Sequence, residues 1–290
     1  MNYRHGFHAG NHADVLKHLV LVALLDALKR KDAPFFVLDT HAGRGRYDLG
    51  GEQAQRTGEA LGGFARLVPA AGDPPALAAY HAAVAAARAD APGTYPGSPL
   101  LVSGALRADD RLAACELQPE EAEALKRLLA RDPRCHVHAR DGYAAMTALL
   151  PPRDGQRRFG RALVLVDPPY EAQEDEFGFV LAALRDALAR FPQGVFAVWY
   201  PIKRRPTLQP FFRKVAALPA KAAVTFEVLV RPDDSPLRMN GSGMLLLNPP
   251  WRIEQAIEPA LKPLARQLGE PGASWRTTWI RAPAGPQAHS

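Results

Sequence analysis

Short, almost wholly apolar runs that stop at or just before an acidic residue constrain this chain more than any other feature. Phe35-Phe36-Val37-Leu38 stops at Asp39, Leu112-Ala113-Ala114-Cys115 at Glu116, and Ala162-Leu163-Val164-Leu165-Val166 at Asp167. A further run, Cys135 to Ala139, leads into Asp141-Gly142. Runs of this length without polar alternation suit strands buried on both faces, which is the environment of a parallel sheet. Helical patterns separate them. Asn11 reads as the cap, and Asp14 as a first-turn acid, of a helix that reaches about Arg30 and is apolar nearly all round. Other helices are expected near Glu120–Arg131, after Asp141-Gly142, near Glu174–Phe191 and near Leu208–Leu218. Further strands are expected at Val195–Tyr200 and Val224–Val230, with Met244–Leu247 the last. This alternation predicts an α/β fold whose parallel sheet is covered on both faces.

No internal repeat is present. The stretch from Asp48 to about Tyr95 breaks the alternation: it holds no strong strand and an Ala-rich run, Ala76 to Ala89. The expected organisation is a main domain of residues 1–47 and 96–282, a helical subdomain inserted at 48–95, and a flexible tail at 283–290. With 47% hydrophobic residues, the 290-residue chain has ample material for a core. Its two cysteines, Cys115 and Cys135, suit thiols in a reducing compartment rather than a disulfide scaffold. The apolar stretch Leu19 to Leu25 ends at Asp26, far short of the roughly 20 residues a membrane span needs. A soluble, cytoplasmic protein with no membrane contact is expected. Lys and Arg number 36 against 30 acids, for a net charge of +6, and most of the basic residues are arginine. That excess is compatible with a phosphate-bearing partner, and also with nothing more than a GC-rich coding sequence.

Asp167-Pro168-Pro169-Tyr170 carries the clearest chemistry. In open α/β sheets, ligands bind at the carboxyl ends of strands, where this motif falls. An exocyclic amine on a nucleobase is a poor nucleophile, because its lone pair is delocalised into the ring. A carboxylate from Asp167 and the carbonyl of Pro168 would accept its two hydrogens and favour a pyramidal nitrogen. Tyr170 could stack on the base. The plain alternative is a Pro-Pro turn after a strand. A second motif, Asn248-Pro249-Pro250-Trp251, has the same look, but it follows the last strand. That strand is expected in an antiparallel edge hairpin away from the central crevice, so Asp167 is preferred.

The loop Asp39-Thr40-His41-Ala42-Gly43-Arg44-Gly45 is not a dinucleotide fingerprint, since Asp48 stands at the third glycine position. By itself it reads equally as a cofactor loop or a turn. The acids at successive strand ends tilt the balance. Glu116 could accept from ribose hydroxyls and Asp141 from an adenine amino group, with Gly142 allowing close approach. This set suits the cationic S-adenosylmethionine, whereas a phosphate cofactor would need donors. His5, His8, His12 and His18 crowd the amino terminus without Cys or carboxylates at ligand spacing, so no metal is expected. Lys17 and His18, polar groups on a buried helix, are expected to face a pocket.

The stretch from Tyr3 to His18, YRHGFHAGNHADVLKH, resembles the amino-terminal signature of the RlmJ family of bacterial 23S ribosomal RNA adenine-N6 methyltransferases. The similarity continues through Leu38–Gly43, Arg56–Glu59, Tyr95–Pro99, Asp167–Tyr170, Trp199–Pro201 and Asn248–Trp251, with Arg44 standing where the family carries a small residue. The resemblance implies a Rossmann-like class I S-adenosylmethionine-dependent methyltransferase fold with a small inserted helical subdomain. It implies cofactor contacts at His18, His41, Ser98, Glu116, Asp141 and Gly142, and catalysis at Asp167. Tyr3 would hold or cover the target adenine, with His5 and Lys17 nearby, and 23S ribosomal RNA would be the partner.

Two alternatives remain open from the residues: methylation of another exocyclic amine such as guanine N2, and a non-catalytic RNA-binding relative. The insertion, through Arg56, Arg66, Arg88, His81, Tyr80 and Tyr95, would either touch RNA at the cleft rim or be a packed lid. In the latter case Arg4, Lys17, Lys203, Arg204 and Arg205 are the better RNA candidates.

Overall fold

The computed structural model describes residues 5–236 and 239–283; of the tail expected at 283–290, only Pro283 falls among them. The main-sheet strands are β1 Phe36–Asp39, β2 Arg111–Glu116, β3 Cys135–Ala139, β4 Ala162–Val166, β5 Val195–Ile202, β6 Ala223–Leu229, β7 Gly241–Leu247 and β8 Ser274–Arg281. They lie in the order β8-β6-β7-β5-β4-β1-β2-β3. β1 is parallel to both neighbours, with Val37 between Leu112 and Leu163. The chain moves outward from β1 through β2 to β3, then returns to begin β4 on β1's other side. That reversal of direction opens a crevice at the carboxyl ends of β1 and β4. β7 runs antiparallel between β5 and β6, and β8 runs antiparallel along β6. The result is a Rossmann-like, doubly wound sheet.

The main helices are α1 His12–Lys29, α2 Pro75–Ala87, α3 Ser98–Ala105, α4 Pro119–Leu129, α5 Gly142–Leu149, α6 Gln173–Arg190, α7 Gln209–Ala216 and α8 Ile253–Leu268. Side chains from α1, α2, α3, α4 and α8 join the core on one sheet face. Those of α5, α6 and α7 join the core on the other. The Asn11 side chain accepts from the N–H groups of Ala13 and Asp14, as a capping residue does, and α1 then buries Leu16, Leu19 and Val20. Among the described residues no helix is long and apolar enough to cross a membrane.

Four elements differ from the sequence expectation. β3, expected to be buried on both faces, is an edge strand with no fully buried residue, because His136 and His138 interrupt its apolar positions. Met244–Leu247 is neither the last strand nor an edge strand, because β7 sits inside the sheet and β8 covers β6 beyond it. β8 escapes a periodicity reading because it is polar and half-exposed, as an edge strand should be. α8 keeps a helical apolar spacing but is missed because Pro259 and Pro263 within it read as helix breakers. They stand clear of the buried row Ile257, Leu261, Leu264 and Leu268, which holds the helix together.

Between β1 and β2, the short helices Glu52–Thr57 and Glu59–Gly62 and helix α2 follow the loop after β1. A short strand, Thr94–Pro96, pairs with Arg46–Asp48. The side chains expected to stack on RNA do not reach solvent. Tyr80 and Tyr95 are fully buried, and their hydroxyls meet at 3.1 Å. Arg66 donates to the carbonyl of Leu268 at the end of α8, and Arg88 lies 4.8 Å over the Phe64 ring. Burial of large apolar groups outweighs the pull of a few surface charges here.

Leu77 of α2 is fully buried in the cluster shared with α1 and α8. Leu77→Ala should therefore cost ~2–5 kcal/mol and leave one cooperative transition. Urea unfolding followed by fluorescence and far-UV dichroism checks this. Separate transitions would mean that residues 48–95 unfold independently.

Candidate active site

A cleft of about 730 Å³ opens at the carboxyl ends of the parallel strands. Its walls include His5, Lys17, His18, His41, Ser98, Glu116, Asp141, Gly142, Asp167, Pro168 and Tyr170. The sequence-derived candidates thus share one cavity, apart from Tyr3, which lies outside the described residues. Among the described residues, no group of three or more His, Cys, Asp or Glu is placed to hold a metal ion. Cys115 and Cys135 are free thiols.

On the β1–β3 side, backbone demands decide the residues. Gly43 has φ +61°, and a Cβ there would stand 2.0 Å from the Tyr47 hydroxyl. A Cβ on Gly142 would stand 2.0 Å from the Thr40 carbonyl oxygen, so only glycine lets α5 begin this close to β1. Glu116 accepts the N–H of Gly43 at 2.9 Å and that of Gln118 at 2.7 Å, which ties the loop to the end of β2. Burial raises its pKa against those hydrogen bonds. Arg44 makes a two-pronged contact with Glu121 of α4 at 2.8 and 2.7 Å, so its bulk is directed onto α4. Asp141 caps α5 through the N–H of Ala144 at 2.7 Å.

His41 and His18 are held neutral. Burial pulls His41 down to about 4 and His18 to about 3. Thr40 donates its hydroxyl to the Leu165 carbonyl at 2.8 Å, so His41 Nδ1, at 2.7 Å, must be the donor to Thr40 Oγ. That leaves His41 Nε2 as an acceptor. His18 Nδ1 pairs with the Tyr95 hydroxyl at 3.0 Å, while its Nε2 is buried without a partner. Asp39, the first acid at a strand end, stands behind the cleft wall. It accepts from Ser98 Oγ at 2.6 Å, and its other oxygen has no partner.

On the β4 side, Asp167 does not stand alone. Lys17 Nζ lies 2.5 Å from Asp167 Oδ2 and 2.8 Å from Asp14 Oδ1. Burial opposes the ammonium, yet Asp14 and Asp167 raise its pKa above the usual lysine range. Tyr170 takes φ +48°, a left-handed conformation that costs a bulky residue on the order of 1–3 kcal/mol. Its hydroxyl donates to the Trp199 carbonyl at 2.8 Å, and its ring meets Phe177 and Trp199 edge-on, so the ring cannot swing. Sequence reading takes Asp14 only as a first-turn acid. Its three-residue spacing from Lys17 on one helix is the signal that could have found it.

Asn248 sits at the opposite end of the strands from the cleft, because Leu247 pairs with Phe196 at the start of β5. Its side chain binds the carbonyls of Pro192 and Gly194 and the N–H of Lys221. It is a loop tie, well away from the cleft.

Burial pushes the Asp39 carboxyl up to about 7, against the hydrogen bond from Ser98. Its folded pKa exceeds the ordinary 3.8, so its contribution to stability is full below 3.8 and is lost as pH rises towards 7. Asp39→Asn should flatten the decline in urea midpoint across that window. An unchanged slope would show that Asp39 is ionised throughout.

The family model described as "Ribosomal RNA large subunit methyltransferase D, RlmJ" matches residues 32–281. "Ribosomal RNA large subunit methyltransferase J" of Escherichia coli (strain K12) is 40% identical over 97% of this chain and 99% of its own. The protein of the same name from Haemophilus influenzae is 37% identical over 97% of this chain and 99% of its own. Among solved structures, protein LPL1258 of Legionella pneumophila superposes with a TM-score of 0.81 at 31% identity, covering 93% of this chain and 98% of that one. The match runs through the strands and loops that build the cleft, and this chain belongs to the RlmJ family of ribosomal RNA large subunit methyltransferases.

Proposed function

We propose that this protein methylates the N6 of an adenine in 23S ribosomal RNA, with S-adenosylmethionine as donor. The observation that carries the reading is the Asp167 carboxylate at the end of β4, clamped through one oxygen by Lys17 within the cleft that Glu116 and Asp141 also line.

The cleft's donor and acceptor set fits the cofactor. His18 Nε2 is a buried nitrogen without a partner, His41 Nε2 is an acceptor, and Glu116 has lone pairs beyond its two backbone contacts. These groups, with Ser98 and Asp141, would hold the amino-acid, ribose and adenine parts, and Gly142 admits the ring closely. S-adenosylmethionine, when bound, supplies an electrophilic methyl on a sulfonium. The chain's own residues then prepare the amine. Lys17 occupies Asp167 Oδ2, so Oδ1 is the oxygen left to accept one amine hydrogen. The Pro168 carbonyl accepts the other. The immobilised Tyr170 ring offers a face for the base, while His5 and Lys17 bound the pocket on the α1 side. Positioning and polarisation supply the rate enhancement. Asp167 need not be a strong base, because the amine nitrogen becomes acidic once it is alkylated.

Two acceptors at a strand end would serve guanine N2 as well. Methylation of ribosomal RNA transcripts followed by nucleoside digestion distinguishes the products. N6-methyladenosine is expected, and N2-methylguanosine would overturn the assignment. Asp167→Ala should abolish transfer with little change in S-adenosylmethionine affinity, since Asp14 still neutralises Lys17. Glu116→Ala should weaken cofactor binding by ~1.5–3 kcal/mol, because charged hydrogen bonds to the cofactor are removed. Calorimetric titration checks both, and near-normal turnover of the Asp167 variant would remove the central assignment.

The enzyme would act in the cytoplasm, and residues 48–95 would form an inserted helical unit that buttresses the amino-terminal segment. Arg205 is engaged by Glu227 at 2.8 Å. Lys203 and Arg204 are exposed after β5, with Lys203 on the cleft wall, and are the phosphate contacts of choice. Replacing both by alanine should raise KM for RNA and reduce the salt slope of binding by roughly 1 for each phosphate no longer neutralised. The cofactor constant should stay unchanged, as filter binding at several salt concentrations would show.

A further inference from the structure

Asp14 is the most heavily engaged buried acid near the cleft. Its side chain is 2% exposed. One oxygen accepts from the backbone N–H of Gly10 at 2.8 Å and contacts His5 Nε2 at 2.9 Å. The other contacts Lys17 Nζ at 2.8 Å. Lys17 in turn reaches Asp167 at 2.5 Å, so two carboxylates share one ammonium. Burial works against the charge on Asp14, but His5 and Lys17 hold its pKa well below the usual carboxylate range.

A helix-capping role explains only part of this. An acid three residues beyond the cap commonly reaches back to a free backbone N–H, and the Gly10 contact is of that kind. Capping needs neither an ammonium nor an imidazole. Without Asp14, Lys17 would have Asp167 as its only close carboxylate. The ammonium would move to share both Asp167 oxygens and cover the one left open for the substrate amine. With Asp14 present, the ammonium is pulled back along α1 and takes a single Asp167 oxygen. The same carboxylate also contacts His5 beside Lys17 on the α1 side of the pocket. We propose that Asp14 is a positioning residue for methyl transfer: it restrains Lys17 so that one oxygen of Asp167 stays free for the amine. The inference rests on the function proposed above and assigns Asp14 no contact with substrate.

The inserted segment braces this arrangement from outside. Glu59 pairs with His8 Nδ1 and Asn11 Nδ2, each at 2.9 Å, and Thr57 donates to the Phe7 carbonyl. The segment from His5 to Asn11 is therefore held from both sides, by Asp14 within and Glu59 without.

Asp14→Asn keeps the side chain's shape and its acceptor for Gly10. Turnover by Asp14→Asn, Lys17→Met and the double variant is measured on transcribed 23S ribosomal RNA, with S-adenosylmethionine affinity by calorimetry and Tm alongside. Asp14→Asn should lower kcat by roughly 10- to 100-fold, the scale of a small misplacement of reacting groups. Its KM and Kd for the cofactor should hold within about threefold, and the double variant should match Lys17→Met, because the two residues act as one unit. Should Asp14→Asn not fold, Asp14→Glu serves instead. It keeps the charge but moves the carboxylate, and it should show the same kcat loss with unchanged cofactor affinity. Wild-type kcat in the folded variant, losses that multiply in the double variant, or a kcat loss that tracks cofactor affinity would each overturn the proposal. Absence of N6-methyladenosine with the wild-type enzyme would instead overturn the function on which it rests.

Discussion

The ammonium of Lys17 lies where water cannot solvate it, with only 6% of its side chain exposed, so the fold must supply its counter-charges. It draws one from its own helix, Asp14, and one from a strand end 150 residues later, Asp167. Breaking either ion pair would leave a buried charge short of a partner, which is far costlier than removing a surface ion pair. α1 therefore has one acceptable rotation and register against the sheet. The same two ion pairs place the carboxylate of the reaction motif. Stability and chemistry are coupled at this point, and neither can be altered without the other.

Around that pair the sheet provides direction. β1, β2, β3 and β4 run parallel, so their acidic ends open on one side, and the reversal of chain progress at β1 leaves a crevice there. Close packing then selects particular residues. Gly142 is dictated by the Thr40 carbonyl beneath it, and Gly43 by the Tyr47 hydroxyl. Arg44 is accommodated in this loop because Glu121 on α4 meets its guanidinium in a bidentate contact. Tyr170 accepts a left-handed backbone because its ring is boxed by Phe177 and Trp199. Such strain persists only where surrounding contacts over-determine it.

The stretch between β1 and β2 departs most from what its residue types suggest. Aromatic and arginine side chains in an insertion beside a cleft look like nucleic-acid contacts. Tyr80 and Tyr95 are instead core residues in hydrogen-bonded contact with each other, and Tyr95 also braces His18. Arg66 satisfies a carbonyl at the end of α8. An arginine offers five donors and a planar face, and a free helix terminus or an aromatic ring can engage it as well as a phosphate can. Residue type alone could not separate the two uses.

What the sequence by itself determined is what depends on local pattern. Uninterrupted apolar runs specify strands buried on both faces, and their placement between helical patterns specifies a doubly wound sheet. Acids at the run ends, and Asp167-Pro168-Pro169-Tyr170 after one of them, mark where polar chemistry gathers. The similarity of the first 18 residues and of the later motifs then points to the RlmJ family. Tertiary structure alone decided what depends on residues distant in the chain. β8 was hidden because edge exposure leaves it without an apolar run, and α8 because two prolines read as helix breakers; packing against β6 and α1 reveals them. Asn248 and Asp167 share a motif shape and differ in which end of the sheet they occupy, which strand direction settles. The local marks of Asp14, a helix-start acid three residues before a lysine, are ordinary ones. Its significance arises because folding places Asp167 across Lys17 from it, and a buried ammonium requires both.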